Sequence, residues 1–167
     1  MENFGIEMDK MFKFNSSHFV AYEGFREPLH GHNYKVSIKI KSKKLNTSYY
    51  VIDFDIVKTL MTKICDELKH CLLLPKFNTF IKIEEIENSV KVTCEDGSIF
   101  TFPTKDVKII ETEQISAECL AKYILHSFYK SFKTNYEENF NQIELSKIEV
   151  KVSEDKGKSG IYYYKFN

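Results

Sequence analysis

The sequence lacks an excess of charge of either sign. Lysine and arginine together number 24, and aspartate and glutamate together also number 24, so the formal net charge is zero. Such a chain has no long-range field that would attract nucleic acid or an anionic membrane surface. We therefore expect no nucleic-acid partner, and an anionic substrate must be held by a local site.

Signals for secretion and membrane insertion are also missing. The first residues contain no basic segment followed by an apolar one, and no run of about 18 apolar residues occurs anywhere. The four cysteines form no Cys-x-x-Cys pair and no dense framework, which suits a reducing compartment. We expect a cytoplasmic protein with free thiols and no membrane contact.

Repeats and low-complexity tracts are absent as well. A chain of 167 residues with 43% hydrophobic content can bury one compact core, so we expect a single domain over residues 1–167.

Strand patterns occur at both ends of the chain. Apolar and polar residues alternate over residues 34–41 and again over residues 148–153, as in half-buried strands. The second segment continues through a turn-rich stretch into the aromatic run 161–166, which predicts a C-terminal hairpin. Short apolar runs over residues 80–111 predict a further β excursion, with Asp96-Gly97 as a hairpin turn.

Two segments show the helical period. Apolar residues recur at spacings of three and four between Asp53 and His70, and again after Ser116, which is a plausible N-cap. Strands with two helices predict an α+β fold, with an antiparallel sheet and both helices on one side.

The histidines are few and concentrated. His30 and His32 stand in HGHNY immediately before the clearest strand, where residues two apart point to the same side. His18 ends a segment that we predict to be the first strand, and it could lie beside His32 in an antiparallel pair. Three neutral imidazoles leave one tetrahedral position of a zinc ion free for water or a substrate hydroxyl, as in catalytic sites. An isolated His-x-His is more often only a polar strand end, but His18 supplies a third ligand.

These motifs, with several others, resemble the 6-pyruvoyl-tetrahydropterin synthase family. The similar segments follow the family's order over nearly the whole chain: FNSSH at 14–18, HGHNY at 30–34, VIDF at 51–54, LKH at 68–70, SAE at 116–118 and VSE at 152–154. The resemblance implies the tunnelling fold, with subunits joined into a β-barrel and stacked as a homohexamer.

The resemblance also implies residue roles. Zn²⁺ would be bound by His18, His30 and His32. The carboxylate of Glu154 would accept hydrogen bonds from the edge of a pterin, since its two oxygens can face two N–H donors. Ser116 and Ala117 would add backbone contacts. Glu118 would be either a further ring contact or a charge at the start of a helix.

The sequence departs from the family at its catalytic cysteine. That cysteine normally lies a few residues before His-Gly-His, yet no cysteine precedes Cys65 here. Glu27 is the obvious replacement as general base, and Glu23 is a weaker candidate. This feature is similar to the glutamate-bearing, folate-linked branch known from apicomplexan parasites.

The resemblance implies a zinc-dependent lyase acting on 7,8-dihydroneopterin triphosphate. A carboxylate base favours cleavage of the side chain to 6-hydroxymethyl-7,8-dihydropterin, a folate precursor. Two alternatives are a 6-pyruvoyl- or 6-carboxy-tetrahydropterin synthase of the same fold, and a non-catalytic zinc- or pterin-binding protein. Mg²⁺ is a candidate companion of the triphosphate, which could also contact Arg26, Lys35 or Lys69.

A second departure concerns the proton relay. Lys69 replaces the aspartate that usually precedes the catalytic histidine, here His70. Asp66, four residues before His70, would orient it if the helix persists that far. Alternatively, His70 caps the helix at its C-terminus.

Overall fold

A computed structural model describes residues 3–167, so the first two residues of the predicted domain lie outside the described part. The main sheet is built from six strands. In chain order these are β1 (Phe4–His18), β4 (His30–Ser42), β5 (Leu72–Pro75), β9 (Val107–Ile110), β10 (Leu145–Asp155) and β11 (Lys158–Lys165).

The spatial order of the main sheet is β11-β10-β4-β1-β5-β9. Its four long strands are antiparallel, whereas the short strands β5 and β9 run parallel to β1 and to each other. The predicted antiparallel sheet is therefore correct for the long strands, and the parallel extension was not predicted.

The β excursion folds as a separate small sheet. Its antiparallel strands are β6 (Ile81–Ile86), β7 (Ser89–Cys94) and β8 (Ile99–Pro103). The predicted turn joins β7 to β8, and Gly97 adopts a φ of 85°, which a residue with a side chain rarely accepts. A 3₁₀ turn over Thr104–Asp106 leads into β9. A short hairpin precedes β4, and its two strands have two residues each: β2 (Ala21–Tyr22) and β3 (Phe25–Arg26).

Three α-helices accompany the sheets within residues 3–167. The predicted helices are α1 (Phe54–Asp66), capped by the side chain of Asp53, and α2 (Ala117–Asn135), whose N-cap Ser116 accepts a hydrogen bond from the Cys119 N–H at 3.2 Å. A third, α3 (Glu137–Gln142), follows α2 and was not predicted. None of the helices within residues 3–167 has the length and apolar composition that a membrane crossing requires.

The principal core lies between the long strands and helices α1 and α2. Alternate residues of β4, from Tyr34 to Ile40, point into it and are almost fully buried, together with the apolar stripe of α2. A second apolar cluster lies between the excursion and residues Phe19 and Ala21. The excursion is thus packed against the segment that connects β1 to β4.

Candidate active site

The three predicted metal ligands converge at the end of the β1–β4 ladder. His18 pairs with His30 in the antiparallel register, and His32 lies two residues along the same face of β4, opposite Ser16. The ring centroids are 4.6 Å apart for His18 and His30, 5.1 Å for His18 and His32, and 4.9 Å for His30 and His32. His18 therefore lies directly across from His30, and not from His32 as the sequence suggested.

Backbone carbonyl groups fix the orientation of two of the rings. The Nδ1 atom of His18 lies 2.7 Å from the Ile115 carbonyl oxygen, and that of His30 lies 2.8 Å from the Pro28 carbonyl oxygen. A proton on each Nδ1 leaves the lone pair on Nε2. Such hydrogen bonds to the far nitrogen are typical of histidines that bind metals.

The histidine cluster fits a metal ion. The Nε2 atom of His18 is buried and has no hydrogen-bond partner, which is costly for an isolated imidazole and is relieved by a bound cation. Burial lowers the pKa of His18 to about 4, so the ring stays neutral, as a ligand must. One ligand atom from each of the three histidines falls within 4.8 Å of the others. Three imidazoles suit Zn²⁺.

Glu27 lies beside this cluster. Together with His18 and His30 it lines a cavity of about 490 Å³. The loop that carries Glu27 is held to the segment just after β1, because the Glu27 N–H donates to the Val20 carbonyl at 2.9 Å and Oε2 accepts from the Val20 N–H at 3.1 Å. The carboxylate thus has a fixed position on the wall of the metal-site cavity.

The predicted substrate-binding residues line the same cavity. They are Ser116, Ala117, Glu118 and Glu154. The first three form the N-cap and first turn of α2, and Glu154 is near the end of β10. Chain segments more than 120 residues apart in sequence therefore surround one space, which His18, His30, Glu27 and Glu154 all line.

The family model for 6-pyruvoyl tetrahydropterin synthase matches residues 7–165. The chain belongs to this family. A protein of Methanocaldococcus jannaschii, provisionally named 6-carboxy-5,6,7,8-tetrahydropterin synthase, is 31% identical over 134 residues, which are 80% of this chain and 82% of that protein.

Two solved Plasmodium structures of the family are highly similar. The 6-pyruvoyl tetrahydropterin synthase of Plasmodium vivax superposes with a TM-score of 0.89 at 32% identity, covering 99% of this chain and 100% of its own. The Plasmodium falciparum protein has the same TM-score and coverage at 33% identity. Two further P. vivax structures are of variants in which a glutamate, described as the catalytic residue, is replaced by cysteine or alanine.

The cysteine that the family usually carries has no counterpart in the cavity. Among residues 3–167, none of the four thiols lines the space between Glu27 and Glu154. Cys65 is in the core, where burial raises its thiol pKa to about 12, and burial also raises the pKa of Cys71 and Cys94. These thiols are therefore poor sources of a thiolate.

The predicted partnership between Asp66 and His70 is wrong for the described chain. Helix α1 ends at Asp66, whose carboxylate accepts a hydrogen bond from the Lys69 amine at 2.7 Å. His70 lies beyond the helix with a φ of 59°, and its N–H donates to the Asn15 carbonyl at 2.7 Å. It is neither on the helix face of Asp66 nor the C-cap, which is Glu67.

His70 lies outside the Glu27 cavity. It lines a different cavity of about 480 Å³, on which His32 and Asp106 also border. A role for His70 at the site of a neighbouring subunit remains a prediction, since the family resemblance implies sites shared between subunits.

Sequence reasoning missed residues that position the site. Arg26 fastens the Glu27 loop to the excursion: its Nε atom donates to Asp96 at 3.1 Å, and its guanidinium also donates to the Ser98 hydroxyl at 3.1 Å and the Glu27 carbonyl at 2.8 Å. The guanidinium carbon lies 5.0 Å from the Phe100 ring centroid, within cation–π range. The Asp96-Gly97 turn was the available signal, but nothing in the sequence indicated its partner.

Gly160 is the second such residue. A Cβ atom at this position would lie 2.3 Å from the Glu118 amide nitrogen and 2.4 Å from the Ala117 carbonyl carbon. Strand β11 can therefore approach the first turn of α2 only because residue 160 has no side chain. This contact places the start of α2 against the cavity.

Proposed function

We propose that this protein is a zinc-dependent lyase that cleaves 7,8-dihydroneopterin triphosphate to 6-hydroxymethyl-7,8-dihydropterin, a folate precursor. The family assignment supports a pterin activity of the tetrahydropterin synthase type. The position of Glu27, on the wall of the same cavity as His18, His30 and Glu154, carries the finer proposal. The resemblance to Plasmodium structures with a catalytic glutamate supports it further.

The pterin ring binds in this cavity beside Glu154. Glu154 accepts hydrogen bonds from the N–H groups at the ring edge, and the backbone at Ser116 and Ala117 supplies further polar contacts. Glu118 either contacts the ring or places its negative charge at the positive end of the α2 dipole, where it stabilises the helix. The three-carbon side chain then lies toward His18, His30 and Glu27.

A zinc ion held by His18, His30 and His32 would lower the pKa of a substrate hydroxyl and stabilise the resulting negative charge. Glu27 takes the proton from the second hydroxyl of the side chain. The O–H electron pair forms an aldehyde C=O, the bond between the first and second side-chain carbons breaks, and its electron pair passes into the C=N group of the dihydropterin ring. The first carbon then gains a proton in place of the broken bond, so that hydroxymethyl-dihydropterin and a triphosphorylated two-carbon aldehyde are released.

The pterin that the protein releases distinguishes the proposed lyase reaction from the synthase reactions. Zinc-loaded protein is incubated with dihydroneopterin triphosphate, and the released pterin is identified by mass spectrometry. We expect 6-hydroxymethyl-7,8-dihydropterin from the native protein and a shift toward the 6-pyruvoyl compound from Glu27→Cys. Release of only the pyruvoyl or carboxy compound by the native protein would contradict the proposal in favour of a synthase, and no consumption would favour a binding protein.

A further inference from the structure

A third cavity, of about 940 Å³, lies next to the proposed pterin site. Four lysines line it: Lys10, Lys35, Lys151 and Lys156. It shares His32 with the histidine cluster and Glu154 with the wall of the Glu27 cavity. The cavity therefore extends from both proposed ends of the reaction site into a basic region.

These four lysine amines are free to bind an anion. Among residues 3–167, no carboxylate lies within 4.0 Å of any of them, whereas eight other lysines have such a partner. The other basic residues considered from the sequence are already engaged: Arg26 by Asp96 and Lys69 by Asp66. Of Arg26, Lys35 and Lys69, only Lys35 has no carboxylate partner among residues 3–167 and can bind an anion.

The backbone of β1 is distorted where it presents Lys10. The register with β4 shifts between Met8 and Phe12, and Lys10 adopts a φ of 53°, an unfavourable conformation for a residue with a side chain. The Ser37 hydroxyl holds this bulge by accepting from the Lys10 N–H at 2.9 Å and donating to Asp9 at 2.8 Å. Strained backbone that is held in this way often occurs at functional sites.

The charge of the cavity suits a polyphosphate. Its lining contains four lysines against two carboxylates, Glu154 and Asp155. Glu154 is assigned to the pterin edge, which leaves Asp155 as the other carboxylate of the lining. Outside the lining, the Asp9 carboxylate accepts a hydrogen bond from Ser37 and also interacts with the charges of Lys10 and Lys151. Lysine is a common phosphate ligand, and hydrogen bonds between ions are stronger than neutral ones.

We propose that this lysine cavity binds the triphosphate of the substrate. The identity of the ligand rests on the proposed function, but the chemistry of the cavity is that of a polyphosphate site in its own right. The lysine cavity borders Glu154, which also lines the Glu27 cavity, and His32 of the histidine cluster, so the triphosphate of a substrate in the Glu27 cavity can extend into it. Lys35 on β4 and Lys151 on β10 supply charge from adjacent strands of the sheet.

Binding of inorganic triphosphate to the zinc-loaded protein tests the site without any reaction. We expect titration calorimetry to show binding that weakens about tenfold or more in the double variant Lys35→Gln/Lys151→Gln, since a charged hydrogen bond is worth roughly a factor of 10 or more. The Lys35→Arg/Lys151→Arg variant keeps the charge and should keep most of the affinity. With dihydroneopterin triphosphate, the glutamine variant should raise KM much more than it lowers kcat.

Lys58→Gln is the matched control. Lys58 is an unpaired, exposed lysine on α1, outside this cavity, and its replacement should leave triphosphate binding unchanged. Unchanged binding in the double glutamine variant, or an equal loss in Lys58→Gln, would overturn the proposed site. If the native protein binds triphosphate through these lysines but consumes no pterin, the proposed reaction fails and the anion site stands.

Discussion

At the scale of single residues, the proposed metal ligands and the proposed base are held by different groups. His18 and His30 are oriented by the carbonyl groups of Ile115 and Pro28, while the Glu27 carboxylate is fixed by the Val20 N–H. Different backbone groups hold the two functions, so substitution at one position need not disturb the other.

Glu27→Gln is therefore expected to keep the zinc and lose the reaction. The amide matches the carboxylate in size but cannot accept the substrate proton, so kcat should fall by about 10²–10⁴. Metal analysis and steady-state turnover check the two effects separately. His30→Ala is the contrasting variant and should lose the metal; turnover near the native rate in Glu27→Gln would show that another group is the base.

At the scale of secondary-structure elements, the excursion acts on the site through Arg26. The turn between β7 and β8 receives hydrogen bonds from Arg26 and also binds the Gly24 N–H through the Glu95 carboxylate at 3.1 Å. The small sheet therefore supports the loop that carries Glu27.

Removal of this support should slow the reaction without removing the metal. In Arg26→Ala the Glu27 loop loses its contacts to Asp96, Ser98 and the Phe100 ring, and we expect kcat to fall by about tenfold, since small displacements of a catalytic group are costly. Arg26→Lys should not restore it, because a single ammonium group cannot make these contacts together. Lys82→Ala removes an exposed ion pair elsewhere in the excursion and should have no effect; an equal effect in both variants would exclude specific support.

The close approach of β11 to α2 gives a second prediction for the elements. Gly160→Ala forces the first turn of α2 away from the cavity, so we expect weaker pterin binding and a free energy of unfolding lower by about 1–3 kcal/mol. Denaturant unfolding and pterin titration measure the two effects. Gly5→Ala is the control, because its Cβ would mainly meet the flexible side chain of Lys41 at 3.3 Å and an Ile40 carbonyl oxygen at 3.4 Å. Native pterin affinity in Gly160→Ala would show that α2 tolerates the shift.

Periodicity was sufficient to predict the elements with long repeating patterns. The strand at residues 34–41, the C-terminal hairpin and the stripe of α2 all follow from side-chain spacing, because half-buried strands and helices impose a period. The end of α1 was wrong because Leu68 continues the apolar pattern although the helix has already stopped at Asp66. The parallel strands β5 and β9 are four residues each, too short for a pattern to reveal their partners.

The same contrast applies to the site. The three histidines and the ordered motifs were visible in the sequence, whereas Arg26 and Gly160 act through contacts with residues distant in the chain. Such contacts exist only after folding, so local sequence carries little sign of them. The predicted pairing of Asp66 with His70 was wrong for a different reason. The four-residue spacing brings two side chains together only within a helix, and α1 ends at Asp66.

At the scale of the whole molecule, the main sheet ends in strands β11 and β9. Strand β11 exposes Ile161, Tyr163 and Tyr164 to about half of their possible area. An apolar edge strand of this kind favours pairing with another chain. It is consistent with the homohexamer that the family resemblance implies.

We expect the native protein to have a mass near six times the 19.7 kDa of the chain in light scattering or native mass spectrometry. Ile161→Lys should shift the protein to smaller species, because a charge on the edge strand opposes pairing. Ile99→Lys, at an even more exposed position in the excursion, should leave the assembly intact. A native protein that remains monomeric at micromolar concentration would contradict the prediction.

The hydrogen bond from His18 to Ile115 has one more consequence. Ile115 immediately precedes the Ser116 cap, so a single peptide unit connects the proposed metal ligand His18 to the proposed pterin-binding surface. With both ligands bound as proposed, this unit would set a fixed distance between the metal ion and the ring. That distance, and not the identity of the ion alone, would select which bond of the substrate comes within reach of the base.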